Sequence, residues 1–267
     1  MIPHALERVD DWRNAWSRSG RLVLLLDFDG TLAPIVPRPE DAAMLPSTRV
    51  AVERLLGMPG VEMAVVSGRG MGDARERAAL PGIAYAGNHG MEIEGPAVRR
   101  IHEEAAEARP ALAEVAERLR KDLAAIAGAF VEDKGLTLSI HYRLVDRHRV
   151  DDVRLHVMGA VAGNPQLRTM EGKEILEIRP AVDWHKGRAV EFLLGEIDPP
   201  AGTPVIYIGD DVTDEDAFRA LRDWSGGSGE GVVVGDPPAD DTSASCYVRN
   251  PLEVGEILAA LARPPAD

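Results

Sequence analysis

The feature that most constrains the fold is a series of short runs that are apolar at nearly every position. They are RLVLLLDF (21–28), VEMAVVS (61–67), GIAYAG (82–87), PVIYIGD (204–210), GVVVG (231–235) and SCYV (245–248). Helical periodicity falls near 47–57, 71–80, 186–196, 213–222 and 251–262. A strand with no polar face must be covered on both sides, which a parallel sheet between two helix layers provides. The reading is therefore an α/β chain with a Rossmann-like parallel core. Ligands in such sheets bind beyond the carboxyl ends of the strands. Asp27, Ser67 and Asp210 all fall at such ends.

Residues from about 97 to 180 follow another pattern. RPALAEVAERLRKDLAAIAG (109–128) predicts one long amphipathic helix, and a second covers about 148–162. AFVEDKGLTLSIHYR (129–143) predicts a hairpin turning at Lys134-Gly135, and QLRTMEGKEILEIRP (166–180) one turning at Gly172. Hairpins with helices indicate an antiparallel α+β unit inserted into the parallel one. The organisation is then 1–97 and 180–267 as the two parts of the core, with 98–179 as the insert. Period 2 puts Leu136, Leu138, Ile140 and Tyr142 on a face that packs against the helices. Thr137, Ser139, His141 and Arg143 share the other, and Glu177 occupies a similarly polar face of its own strand. By itself such a face simply meets solvent. GGSGEG (226–231) and DPPADD (236–241) read as loops, and the end RPPAD as frayed.

With 267 residues the chain can form two ordinary domains. Its net charge of −14 repels nucleic acid and anionic membranes, so the expectation is a small-molecule partner with neither of those. No window approaches the ~18 apolar residues of a membrane span. The charged N-terminus does not resemble a signal peptide, and Cys246, the sole cysteine, permits no internal disulfide. A cytoplasmic location follows as the expectation. Oligomeric state is not readable.

Asp27 and Asp29 raise a sharper question, because two close carboxylates at a strand end repel by roughly 3 kcal/mol. A hard divalent cation such as Mg²⁺ offsets that repulsion. An Asx-type turn is the plain alternative for Asp-x-Asp-Gly. Asp210 and Asp211 end another strand. Thr213 can cap the following helix, with Asp214, Glu215 and Asp216 favouring its dipole, which leaves Asp210 as a metal ligand and Asp214 as a supporting one. Ser67 is suited to a phosphate seat. Lys186 opens a helix with its charge against the dipole, so it is well placed to neutralise a phosphate.

DFDGT (27–31), Ser67, Lys186 and GDD (209–211) together resemble the haloacid dehalogenase superfamily of phosphatases, and the insert resembles that superfamily's α/β cap. DFDGTLAPI, SGR, GNHGMEI, VEDKGLTLSIHYR, EILEIRP, HKGRAV and YIGDDVTDEDAF further resemble the trehalose-6-phosphate phosphatases. The resemblance implies Mg²⁺-dependent hydrolysis of a sugar phosphate through an aspartyl-phosphate. Asp27 is then the nucleophile and Asp29 the acid and base. Ser67 and Lys186 hold the phosphoryl oxygens. The cation is held by Asp27, the backbone carbonyl of Asp29, and Asp210, with Asp214 in support. It also implies sugar contacts from Arg69, Asn88, His89, Glu132, Lys134, Arg143 and Glu177, and makes the polar face of the insert a lid surface. Three alternatives stay open: a related phosphatase acting on sucrose phosphate or mannosyl-phosphoglycerate, a receiver-like phospho-acceptor, and a purely structural His89.

Overall fold

The structure is a computed structural model that describes residues 2–263 apart from 173, 228, 237 and 240. The frayed end expected from 263 and parts of both expected loops lie outside the described residues. The chain divides into two compact units. One comprises Met1–Gly68, Gly72–Arg99 and Trp184–Asp267, and the other Arg69–Met71 and Arg100–Asp183.

The first unit is built on β1 (Leu22–Leu26), β2 (Val61–Val66), β3 (Ala84–Gly87), β4 (Glu92–Glu94), β5 (Arg99–Ile101), β10 (Val205–Gly209), β11 (Gly229–Val234) and β12 (Cys246–Val248). Their order is β12-β11-β10-β1-β2-β3-β4-β5. The strands from β12 to β3 run parallel, and β4 turns back antiparallel on β3. From β1 the chain goes one way through β2 and β3, then returns on the other side through β10. That makes the carboxyl end of β1 a topological switch point, the position at which such sheets bind ligands. All five residues of β1 are fully buried, each leucine contributing about 1.5–3 kcal/mol. Val23 and Leu25 face α7 (Lys186–Ile197) and α8 (Glu215–Arg222), packing with Val190, Leu193, Tyr207 and Phe218. α2 (Pro46–Leu56) packs on β2 and α9 (Pro251–Leu261).

Gly229 and Glu230 do not belong to a loop, as GGSGEG had suggested: with Gly231, already the first residue of the strand GVVVG, they pair in register with Val205, Ile206 and Tyr207. The glycine is needed there because a Cβ on Gly231 would lie 2.6 Å from the Phe218 ring, so α8 can close on the sheet only over a bare backbone. β4 and β5 were also unforeseen, being too short and polar to carry a periodic signal.

The second unit holds a four-stranded antiparallel sheet in the order β6-β7-β9-β8. The strands are β6 (Phe130–Asp133), β7 (Leu138–His141), β8 (Leu167–Glu171) and β9 (Ile175–Pro180). On one face lie α5 (Arg109–Asp122) and α6 (Val150–Val161), with Leu112, Leu119, Val153 and Val157 meeting Leu138, Ile140, Leu176 and Ile178. α5 stops at Asp122, short of the expected 128, with short helix α4 (Glu103–Glu107) before it. The other face carries Glu132, Ser139 and Glu177 in one row across three strands.

The N-terminal segment folds where the sequence suggested only scattered charge. It forms a 3₁₀ turn (Ala5–Arg8) and α1 (Val9–Ser19), burying Val9 and Trp12. Pro3 accepts a hydrogen bond from the Tyr247 amide at 3.1 Å, and His4 Nε2 lies 3.0 Å from Glu253 Oε2. Arg249 adds its amide to Oε2 at 2.8 Å and its Nε–H to Oε1 at 2.6 Å. Burial pushes the Glu253 carboxyl up, but the Arg249 and His4 contacts outweigh it and hold it down at about 2, against 4.5 for an ordinary glutamate. A lowered folded pKa gives stability that is complete above the ordinary value and lost as pH falls through the folded one. The thermal midpoint should therefore drop between pH 5 and pH 2, and Glu253→Gln should flatten part of that slope in calorimetric scans.

Candidate active site

The carboxyl end of β1 delivers Asp27 between two parallel neighbours, with its amide donating to the Ile208 carbonyl at 2.9 Å. The chain then turns, the Gly30 amide donating to the Ala33 carbonyl at 2.7 Å. Gly30 has φ +78°, and a Cβ there would lie 2.2 Å from the Asp210 carboxylate. Only glycine lets the β1 turn and the end of β10 approach this closely. One carboxylate oxygen each from Asp27, Asp210 and Asp214 lies within 4.8 Å of the others. The Asp29 side chain is not a member of this trio.

Lys186, at the first position of α7, is buried inside the cluster. Its Nζ donates to Asp27 Oδ1 at 2.8 Å and to Asp214 Oδ1 at 2.6 Å. Asp214 also accepts from the Tyr207 hydroxyl at 2.5 Å and from the Asp211 amide at 3.0 Å. Burial pushes the Asp27 carboxyl well up; Lys186 opposes this while Asp214 and Asp210 add to it. For Lys186, burial pushes the ammonium down, and Asp214 with Asp27 overcome this and drive it well above its ordinary value. One ammonium thus contacts two carboxylates of a cluster of three. A divalent cation would supply the missing positive charge, and an all-oxygen set suits a hard one, so the cluster fits such an ion.

The cap of the turn after β10 differs from the expectation. Asp211, not Thr213, is the N-cap: its Oδ1 accepts the Val212 amide at 2.7 Å, and Asp214 returns the contact to the Asp211 amide. An aspartate there reaches the first amides directly. Glu215 accepts from Thr242 Oγ1 at 2.6 Å and from the Ser243 amide at 2.7 Å, tying down the loop before β12.

Ser67 ends β2, its amide bonded to the Ala86 carbonyl at 2.8 Å, and its carbonyl accepts from the His89 amide at 2.9 Å. It is not the cap of α3 (Met71–Ala78), which begins farther on. Asn88 and His89 follow β3 with left-handed φ of 50° and 57°, both buried, and Asn88 Nδ2 donates to Glu92 at 3.0 Å. Two adjacent non-glycine residues in that region hold backbone strain, which concentrates at functional sites.

The remaining predicted residues belong to the second unit. Glu132 Oε2 lies 2.8 Å from His141 Nε2, and His141 stacks on Phe130 with ring centroids 4.1 Å apart. Burial pushes the Glu132 carboxyl up, but His141, Lys134 and Arg69 bring it below its ordinary value. Lys134 Nζ is 3.7 Å from Glu177 Oε1, and Arg179 clasps Glu177 Oε2 through Nε at 2.9 Å and through Nη2. Arg143 pairs with Glu174 at 3.2 Å, beyond the end of β7.

A family model described as Trehalose-phosphatase matches residues 25–251. The chain belongs to the trehalose-phosphatase family. It is 39% identical over 270 residues to a probable trehalose-phosphate phosphatase of Arabidopsis thaliana, covering 97% of this chain and 72% of that one. Identity to a trehalose 6-phosphate phosphatase of Zea mays is also 39%, over 93% of this chain and 72% of the relative. The C-terminal domain of trehalose-6-phosphate phosphatase from C. albicans superposes with a TM-score of 0.79 over 98% of both chains at 23% identity, which speaks to the fold alone. A haloacid dehalogenase-like hydrolase from Bacteroides thetaiotaomicron has a similar fold, with a TM-score of 0.53 over 90% of this chain and 98% of that one at 17% identity.

Within each unit, candidate residues gain partners that the sequence did not single out as functional. Tyr207 sits on the Asp214 carboxylate, His141 on Glu132, and Arg179 on Glu177. A tyrosine within PVIYIGD was a usable signal, since a buried phenol needs a hydrogen-bond partner. Period 2 already placed His141 beside Ser139 on the polar face. A shallow pocket of about 330 Å³, lined by Arg75, Leu80, Ile83 and Tyr85, opens at the opposite, amino end of β3, away from the carboxylates. Among the described residues no helix is long and apolar enough to cross a membrane.

The Gly30 contact yields a sharp expectation. Gly30→Ala should displace Asp210 and weaken Mg²⁺ binding at least about tenfold by titration calorimetry, with the circular dichroism spectrum unchanged.

Proposed function

We propose that this trehalose-phosphatase hydrolyses trehalose 6-phosphate to trehalose and phosphate, with Asp27 as nucleophile and Mg²⁺ as cofactor. The observation that carries the reading is the buried Lys186 ammonium, 2.8 Å from Asp27 and surrounded by carboxylates at the β1 switch point. A neutral substrate would not need such a balance of charge. A phosphoryl group does, since its own negative charge must be accepted next to three carboxylates.

Asp27 attacks phosphorus through a carboxylate oxygen, forming the acyl-phosphate bond as the phosphorus–sugar oxygen bond breaks. Asp29 gives its proton to the departing hydroxyl. It then takes a proton from water, which attacks the acyl-phosphate and releases phosphate with Asp27 restored. Lys186 and Ser67 hold the phosphoryl oxygens in line. Mg²⁺ would be held by Asp27, the Asp29 backbone carbonyl and Asp210, with Asp214 in support, and would supply positive charge to the transferring group.

In this reading the second unit is the cap that recognises the sugar, through Glu132, Lys134, Arg143, Glu177 and Arg69, with Asn88 and His89 contributing from the core. Charged groups suit a ligand made mostly of hydroxyls, because charge-assisted hydrogen bonds are the strong ones.

Asp27→Asn should lower kcat by about 10³-fold or more without changing the fold, and no acyl-phosphate should be trapped on it. Across a panel of sugar phosphates with Mg²⁺, trehalose 6-phosphate should have the highest kcat/KM. A tenfold preference for sucrose phosphate or mannosyl-phosphoglycerate would replace the substrate assignment, on the order of 1.4 kcal/mol of discrimination. Glu177→Ala should reduce kcat/KM for trehalose 6-phosphate far more than for an aryl phosphate, and equal losses would remove Glu177 from sugar recognition.

A further inference from the structure

We propose that Tyr207 is a positioning residue, its hydroxyl fixing the Asp214 carboxylate that holds Lys186 against Asp27. Asp214 then acts through the lysine and not as a direct ligand of the cation. The inference rests on the reading that Asp27 and Lys186 form the phosphoryl site.

The geometry points to a chain of contacts across three elements. Tyr207, in the middle of β10, donates to Asp214 Oδ1 at 2.5 Å, and Lys186 Nζ, from α7, donates to the same oxygen at 2.6 Å. The Asp211 amide donates to Oδ2 at 3.0 Å. A carboxylate offers about four acceptor positions, so Oδ1 is filled and Oδ2 is half used. Asp214 is fully buried and its three donors come from different directions, which leaves it one orientation. Asp210 differs in being partly exposed at the strand end.

Lys186 needs such an anchor. A lysine side chain is long and flexible, and this one is buried at a helix start, where the dipole disfavours its charge. Two of its three N–H groups point at Asp27 and Asp214. The third is the one to meet a phosphoryl oxygen, and its direction is set by the other two. Without the phenol, Asp214 Oδ1 loses a donor, the carboxylate can rotate, and the ammonium moves with it. The Tyr207 ring itself packs edge-on to Phe218 at 5.8 Å, so the ring's packing and the hydroxyl's role can be separated by mutation.

Tyr207→Phe keeps the ring and removes the hydroxyl. It should weaken orthophosphate binding about tenfold and lower kcat on an aryl phosphate about tenfold, with the Mg²⁺ dissociation constant within about twofold of the native value. Phe218→Leu is the packing control. It should lower Tm at least as much while leaving kcat and orthophosphate affinity within about twofold. Native kcat and phosphate affinity in Tyr207→Phe would overturn the proposal. So would an equal loss of both in Phe218→Leu, or a tenfold weaker Mg²⁺ affinity in Tyr207→Phe, which would make Asp214 a ligand. A measurement on native protein covers the case in which Tyr207→Phe does not fold. The Tyr207 hydroxyl proton should exchange slowly in NMR spectra and shift when orthophosphate is added, and a fast-exchanging, unresponsive proton would overturn the proposal. Failure of the catalytic reading is seen separately, as turnover surviving in Asp27→Asn.

Discussion

Three carboxylates are gathered at the end of a parallel sheet, two of them on a single buried ammonium, and the elements around them are arranged to support that gathering. Each pair of like charges within 4.8 Å repels by roughly 3 kcal/mol at an effective dielectric near 20. Lys186 offsets part of this, and the remainder is repulsion of the kind that a divalent cation would offset. Burial, with the neighbouring Asp214 and Asp210, pushes the Asp27 carboxyl up against the pull of Lys186, while Asp214 and Asp27 keep the Lys186 ammonium charged despite its burial.

The scaffold answers that demand with rigidity. β1, fully buried and bonded on both edges, fixes Asp27 through its backbone. β10 fixes Tyr207 and, one turn later, Asp211 and Asp214 through a capping box. α7 begins at Lys186 itself, and its apolar face packs against the same strands. Because each charged group is placed by an element anchored in one core, the cluster has little freedom to relieve its repulsion by spreading. The bare backbones of Gly30 and Gly231 serve the same end, one admitting Asp210 and the other letting α8 settle on the sheet.

The second unit solves a different problem. Its hydrophobic face is used up against α5 and α6, which frees the opposite face for Glu132, Ser139 and Glu177 in a single row. The outer two are steadied by His141 and Arg179, which are neighbours on that face. In the proposed function, phosphate chemistry and sugar recognition would then rest on side chains whose supports are separate. Substitutions in one unit can then change selectivity while leaving the chemistry of the other intact.

The amino-acid sequence by itself determined the parallel sheet, the strand ends bearing Asp27, Ser67 and Asp210, and the two antiparallel hairpins. Uniform apolarity and period 2 are local properties that a linear reading captures. It also marked Lys186, because a cation at a helix start contradicts its own local preference. Tertiary structure alone decided which donors each carboxylate accepts: that Tyr207 and Lys186 meet on one oxygen of Asp214, that Asp211 and not Thr213 caps the turn, and that residues 69–71 group with the inserted unit. It also decided the short strands β4 and β5, and the strand role of Gly229 and Glu230. The reason is physical. Periodicity reports the face a residue shows, whereas a hydrogen bond between positions 207 and 214, or 186 and 27, depends on where separate elements come to rest.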